Sequence, residues 1–302
     1  MHAVPTQPRN DDEIQAAVRN LFLGAVPERE QELACLWSQY QLRFNLLPDH
    51  GRDGLFVMDA GAYRDVRFNH RALRAFWVAT FSAWESFRVC AEGGTDLTRL
   101  HCLLDSVAAI LNADDPTTVQ LPPGVPEPGQ FVDRGEDVQA RAASELAVFA
   151  TAWALLHEAR HIQFQQEGTS TIEDVNADAL RAEELACDDF ATAFILDGIH
   201  QYSQSQGESE TLVAQKRQTG IFFALFGMTV IGRGRWSESA THPSIQDRIQ
   251  TAWGRIADRN LNQTAALLGV GAFMTLNQVW EDSPHFPAAS NHFPDQCCNP
   301  TA

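Results

Sequence analysis

Long apolar runs are missing from this sequence. The longest, IFFALFGMTVI at residues 221–231, is half of the roughly 20 residues a bilayer span needs, so it reads as a buried core helix. The first fifteen residues are polar, with Pro5, Pro8 and three acids at 11–13, and offer no apolar segment of a secretory signal. The expected location is the cytoplasm, with no membrane span. Basic residues are scarce: 22 Lys+Arg stand against 39 Asp+Glu, a net charge of −17. Phosphate backbones and anionic bilayers are bound by Lys and Arg, so neither nucleic acid nor a membrane surface is expected as partner. No CxxC pair occurs among the six cysteines, which excludes a structural zinc knuckle. Cys35, Cys90, Cys102 and Cys187 fall within helical patterns and are expected as small buried hydrophobes.

What remains is an ordinary globular composition, 44 % hydrophobic and 20 % charged over 302 residues. The periodicity predicts a mainly α, α+β chain. Ile14, Val18, Leu21, Leu33 and Leu36 give helical spacing over 12–45. Pro48, Gly51, Gly54 and Gly61 break the stretch 46–69, within which Leu55-Phe56-Val57-Met58 reads as a short strand. Residues 71–89 form a helix whose aromatic stripe, Phe76, Trp77, Phe81, Trp84 and Phe87, belongs to the core. A further helix covers 97–112. Five prolines make 115–134 a loop, with one extended piece at 130–132. Long helices are expected over 138–164 and 176–199, a polar surface loop over 201–211, and helices again over 212–231 and 243–282. No internal repeat is present. The expected organisation is an N-terminal helical region with short strands (1–137), a core (138–282) and a loosely packed tail (283–302).

The chemistry concentrates in His157-Glu158-Ala159-Arg160-His161. A four-residue step puts both imidazoles on one helix face, able to grip one zinc ion. Glu158 lies between them, where a carboxylate can take a proton from a water activated by that ion. Phe149, Trp153, Leu156 and Phe164 place the motif on the buried face.

A catalytic zinc site has three protein ligands. The third is sought in Arg181-Ala182-Glu183-Glu184-Leu185-Ala186-Cys187-Asp188-Asp189. Glu184 and Asp188 share a helix face. Two buried like charges are costly unless Glu184 binds the metal and Asp188 accepts the outer ring proton of a ligating histidine. Glu183 is the rival ligand. It aligns with Cys187 and Phe190 and has no carboxylate one turn on.

In Thr241-His242-Pro243-Ser244, Pro243 opens a helix that carries Arg248. His242 reads as a capping or surface histidine or as a catalytic donor to an oxyanion. Arg248 reads as a partner for Asp188.

These residues resemble the gluzincin metallopeptidases. The His242-Pro243…Arg248 element is similar to one in CAAX-protease and HtpX-type gluzincins, which span membranes. The nearer likeness is to the Lit-like phage-exclusion peptidase family. It rests on Ala143-Ser144-Glu145, Ala152-Trp153, Leu156-His157-Glu158, His161, the acidic helix, and Pro243 with Arg248 and Ile249. A weaker likeness runs back through Pro126-Glu127 and Gly135-Glu136-Asp137 and into the aromatic helix at 74–87; the stronger part covers about 126–250. His242 departs from that family's pattern.

The resemblance implies a zincin-like core with two long active-site helices and a minimal β element. It further implies a zinc endopeptidase with a protein substrate, a translation factor such as elongation factor Tu. His157, His161 and Glu184 would be metal ligands, Glu158 the base, and Asp188 and Arg248 their supports. Such enzymes offer substrate a sheet edge, for which 130–132 is the candidate. Two alternatives stay open: a metal-free binding or scaffold protein, and a zinc hydrolase of non-peptide substrates.

Overall fold

The computed structural model describes residues 10–49, 55–130, 137–171 and 176–287. It is mainly helical, 68 % helix against 5 % strand, as the periodicity predicts.

The helical stretch expected over 12–45 is in fact two helices and a strand. Helix α1 (Asp11–Gly24) is capped by Asn10, whose side chain accepts from the Glu13 amide at 2.8 Å. A 3-10 turn, Pro27–Arg29, leads into α2 (Glu30–Tyr40), which stops at Gln41 in the left-handed region (φ 48°). Strand β1 (Arg43–Leu47) follows. Phe44 in this strand and Leu42 just before it are buried.

Strand β2 (Met58–Ala60) begins where the expected strand at 55–58 ends. Residues Leu55 and Val57 are instead bonded by Asn69, whose amide nitrogen donates to the Leu55 carbonyl at 2.6 Å. Its backbone nitrogen donates to the Val57 carbonyl at 3.2 Å. Strand β3 (Asp65–Asn69) pairs parallel with β1 and antiparallel with β2, giving the order β1-β3-β2. Among the described residues no strand pairs with β2 on the side away from β3.

Helix α3 (His70–Ala91) is capped by Asn69 and buried on nearly every face. Phe76, Trp77 and Phe81 lie inside, while Trp84 and Phe87 are half-buried. Around it pack α4 (Thr98–Asn112), α5 (Val138–Glu167), α8 (Glu210–Ile231) and α10 (Gln263–Val279). The 221–231 run is the buried half of α8, as expected. Helix α5 starts on the Asp137 cap and ends at Gly168 (φ 69°), a left-handed position that favours glycine. Helix α6 (Ala177–Leu196) starts on the Asn176 cap. Part of the loop expected over 201–211 is a helix, α7 (Ile199–Gln206). It is held on α8 by Tyr202, whose ring lies 5.0 Å from the Arg217 guanidinium. Helix α9 (Ile245–Ala257) is capped by Ser244.

Two expectations are corrected by packing. Ser283 and Phe286, in the segment expected to be a loose tail, are buried. Phe286 lies 4.8 Å from Phe222 and 5.1 Å from Phe273, ring to ring. Of the described cysteines only Cys187 is buried; Cys35, Cys90 and Cys102 are exposed, because helical spacing alone does not tell an inner from an outer face. Of the extended piece expected at 130–132, Gln130 is not in a strand, and 131–132 lie outside the described residues.

Candidate metal centre

The thirty residues of α5 carry His157 and His161 one turn apart, and Gly168 turns the chain so that α6 packs beside it. Trp153, one turn before His157, lies 5.9 Å from its ring and walls it from the core. The two Nε2 atoms face each other at 3.2 Å. Glu184 from α6 meets both, with carboxylate oxygens 3.4 Å from His157 Nε2 and 3.3 Å from His161 Nε2. Glu158 stands alongside, 4.0 Å from His157 Nε2. Ligand atoms of His157, Glu158 and His161 all fall within 4.8 Å of one another.

Each outer ring nitrogen has its own acid. His157 Nδ1 lies 2.8 Å from Asp188, the contact expected for that residue. His161 Nδ1 lies 3.0 Å from Glu183. Sequence reasoning missed the second contact. It left Glu183 as a rival ligand without a function of its own. The available signal was the tandem Glu183-Glu184: two neighbours about 100° apart on a helix can reach one histidine at its two ring nitrogens.

Arg248 reaches in from α9 and grips Asp188 with a fork, Nε to Oδ2 at 2.8 Å and Nη2 to Oδ1 at 2.6 Å. Its Nη1 comes within 3.9 Å of Glu184. His242 is more exposed, with Nε2 3.6 Å from Glu184 and Nδ1 2.7 Å from the Thr241 hydroxyl. Arg181 donates to the Ser239 carbonyl at 3.0 Å and so pins the segment that carries His242. The structure therefore brings all eight residues singled out in the sequence, Glu183 among them, to one place.

The electrostatics of this cluster are those of acids crowded into a dry site. Burial opposes charge on His157, yet the bonds to Asp188 and Glu184 outweigh it and push the imidazole up to about 10. Burial likewise disfavours charge on His161, but Glu184 raises it. Burial pushes Glu158 up to about 7, against the pull of both histidines. Glu184 and Asp188 are pulled the other way: despite burial, the histidines and Arg248 hold them below the usual carboxylate range. Burial and the surrounding acids push up the Cys187 thiol, so it is inert.

The donor set fits a zinc ion. The two Nε2 atoms are 3.2 Å apart, close to the roughly 3.3 Å that separates two nitrogens on one tetrahedral zinc; without metal the same contact is an N–H···N hydrogen bond. Glu184 faces the same point, and Nδ1 of each ring is engaged elsewhere, which leaves Nε2 for a metal.

These groups line a cleft of about 550 Å³. Its apolar wall includes Met58, Phe76, Met228 and Ile231, and Met58 to Ala60 bring in strand β2, whose outer edge pairs with no described strand. At the mouth Arg67 and Asp59 form a salt bridge of 2.7 Å. A separate cavity of about 440 Å³, between α1, α3 and α5, contains none of the metal-centre residues.

A family model described as Peptidase U49 matches residues 66–269, about two thirds of the chain and every residue of this centre. No curated protein and no solved structure matches.

Proposed function

The chain belongs to the Peptidase U49 family and is a peptidase; on that premise we propose that it is a zinc-dependent endopeptidase working in the cleft between α5, α6 and β2. One observation carries the reading. Two imidazole nitrogens and the Glu184 carboxylate converge within 3.4 Å, with Glu158 beside them on the wall of an open cleft.

His157, His161 and Glu184 would hold the metal. When bound, zinc supplies Lewis acidity at a scissile carbonyl and lowers the pKa of water. Glu158 takes the proton of the attacking water and later gives it to the leaving amine. Without metal, burial raises its pKa to about 7; a bound dication would lower it toward the carboxylate form that accepts the water proton. Asp188, locked by Arg248, keeps His157 with its proton on Nδ1. His242, at the rim and within 3.6 Å of Glu184, is placed to donate to an oxyanion. The outer edge of β2 offers a substrate strand backbone hydrogen bonds. It takes the place of 130–132 as the edge.

In this reading the fold is a zincin-like, gluzincin-type core over 138–282, and the region 1–137 packs on it and contributes β2 and Phe76. The Lit-like resemblance over 126–250 makes a cytoplasmic translation factor, with elongation factor Tu first, the substrate to test. No helix among the described residues is long and apolar enough to cross a membrane.

Two measurements test the proposal. Elemental analysis should find close to one zinc per chain. Glu158→Gln should keep the zinc, because that carboxylate is not a ligand, and lose roughly 10²–10⁴-fold of proteolytic rate. A folded protein without zinc would favour the scaffold alternative, and full activity in Glu158→Gln would refute the role of the base.

A further inference from the structure

Glu183 is the one acid of the cluster that sequence reasoning left without a task, and its surroundings are specific. Each of its two oxygens has separate donors. Oε1 lies 3.0 Å from His161 Nδ1 and accepts from the Ser170 hydroxyl at 3.3 Å. Oε2 accepts from the Thr171 backbone amide at 2.6 Å. The carboxylate is therefore anchored on one side to the connection after Gly168 and on the other to a histidine ring. The parallel with His157 is geometric: Asp188 holds that ring's Nδ1 at 2.8 Å and is itself anchored, by Arg248. The two rings thus have different anchors. His157 is tied to α9, and His161 is tied to the turn that joins α5 to α6.

We propose that Glu183 is a positioning residue: it accepts the Nδ1 proton of His161 and turns Nε2 of that ring toward His157 and Glu184, making the α5–α6 connection part of the support of the metal centre. A carboxylate is needed because two oxygens serve two sites. A glutamine has one carbonyl oxygen, so it keeps either the His161 bond or the Thr171 bond. An alanine keeps neither. This inference rests on the zinc reading for its metal readout only; the ring proton can be observed without metal.

The test uses the full chain, wild type beside Glu183→Gln and Glu183→Ala. In ¹⁵N-labelled protein the His161 Nδ1 proton should give a protected resonance in the wild type, with or without zinc. That resonance should broaden into solvent exchange in Glu183→Ala, and the Thr171 amide should exchange faster with it. A residue that merely stabilised α6 would leave the ring proton untouched. Chelator competition with zinc alone should show affinity falling roughly 10–100-fold in Glu183→Ala, the range for loss of a ligand's supporting partner. Glu183→Gln should fall between. Glu184→Ala, which removes a ligand, should lose more than either. An unchanged His161 ring proton in folded Glu183→Ala, or wild-type zinc affinity in that variant, overturns the proposal. If the wild type binds no zinc, the metal reading fails, and the ring proton alone decides the place of Glu183.

Discussion

Arg248→Ala tests how the centre is held together. Arg248 is 7 % exposed and Asp188 1 %. The guanidinium satisfies both carboxylate oxygens, at 2.8 and 2.6 Å, and is the partner of Oδ2. Truncation leaves Oδ1 with His157 and Oδ2 with none, inside the protein. Removing one member of a buried ion pair typically costs about 3–5 kcal/mol, because the other charge stays buried and uncompensated. His157 remains as a cation beside Asp188 in metal-free protein, so the low end applies, about 3 kcal/mol. For a chain of this size about 2 °C of melting temperature goes with each kcal/mol, so the expected drop is about 6 °C. Arg248→Lys keeps the charge but one ammonium does not span both oxygens, and it should recover only part. The assay is thermal and urea unfolding followed by circular dichroism, with zinc first removed by chelation. In zinc-loaded protein the loss should be smaller, since the dication supplies positive charge next to Glu184 and His157. A drop below about 2 °C in metal-free Arg248→Ala would refute the claim that this fork stabilises the centre.

The metal-free protein should lose stability as pH rises from 7 to 10. His157 is raised from about 6.5 to about 10, so its contribution is complete below 6.5 and disappears through 10; Glu158, raised to about 7, acts in the same direction over lower pH. Glu184 and Asp188 are lowered, so their contributions are already complete above about 4.5 and stay flat in this window. Melting temperatures that rise or hold from pH 7 to 10 would count against these shifts. Zinc binding at pH 7.5 should release protons, because ligating imidazoles must give up the Nε2 proton; calorimetry in buffers of different ionisation heat measures the number, and none released would contradict it. Gly220→Ala should destabilise by about 1–3 kcal/mol, because its Cβ would lie 2.4 Å from Phe149 Cβ where α8 crosses α5. Gly254→Ala, in an exposed helical position with nothing within 4 Å, should instead gain about 0.5–1 kcal/mol by urea titration.

The sequence by itself determined what depends on spacing within one helix. The step from His157 to His161 and the shared face of Glu184 and Asp188 are local, since 3.6 residues per turn act over a few positions, whereas Pro243, expected to open α9, lies before its Ser244 cap. The buried half of α8 was legible for the same reason: in the eleven residues 221–231 the one polar side chain, Thr229, donates to the Leu225 carbonyl within the helix, which leaves no polar face to expose. Tertiary structure decided what depends on one element meeting another. Phe44 and Leu46 lie in strand β1 because β3 pairs with it, and Asn69 bonds Leu55 and Val57 just before β2. Tyr202 found Arg217, and a polar stretch became α7. Phe286, in a segment expected as tail, found a slot between Phe222, Trp253 and Phe273. Glu183 and Glu184 are adjacent and chemically identical, yet Glu183 meets the Nδ1 side of His161 while Glu184 meets the Nε2 atoms of both histidines, because α6 packs on α5 at one rotation and one height. A change of about 100° about the axis of α6 would exchange their places, and no pattern inside α6 sets that angle; the packing of its buried Cys187, Ala191 and Ile195 against the neighbouring helices does.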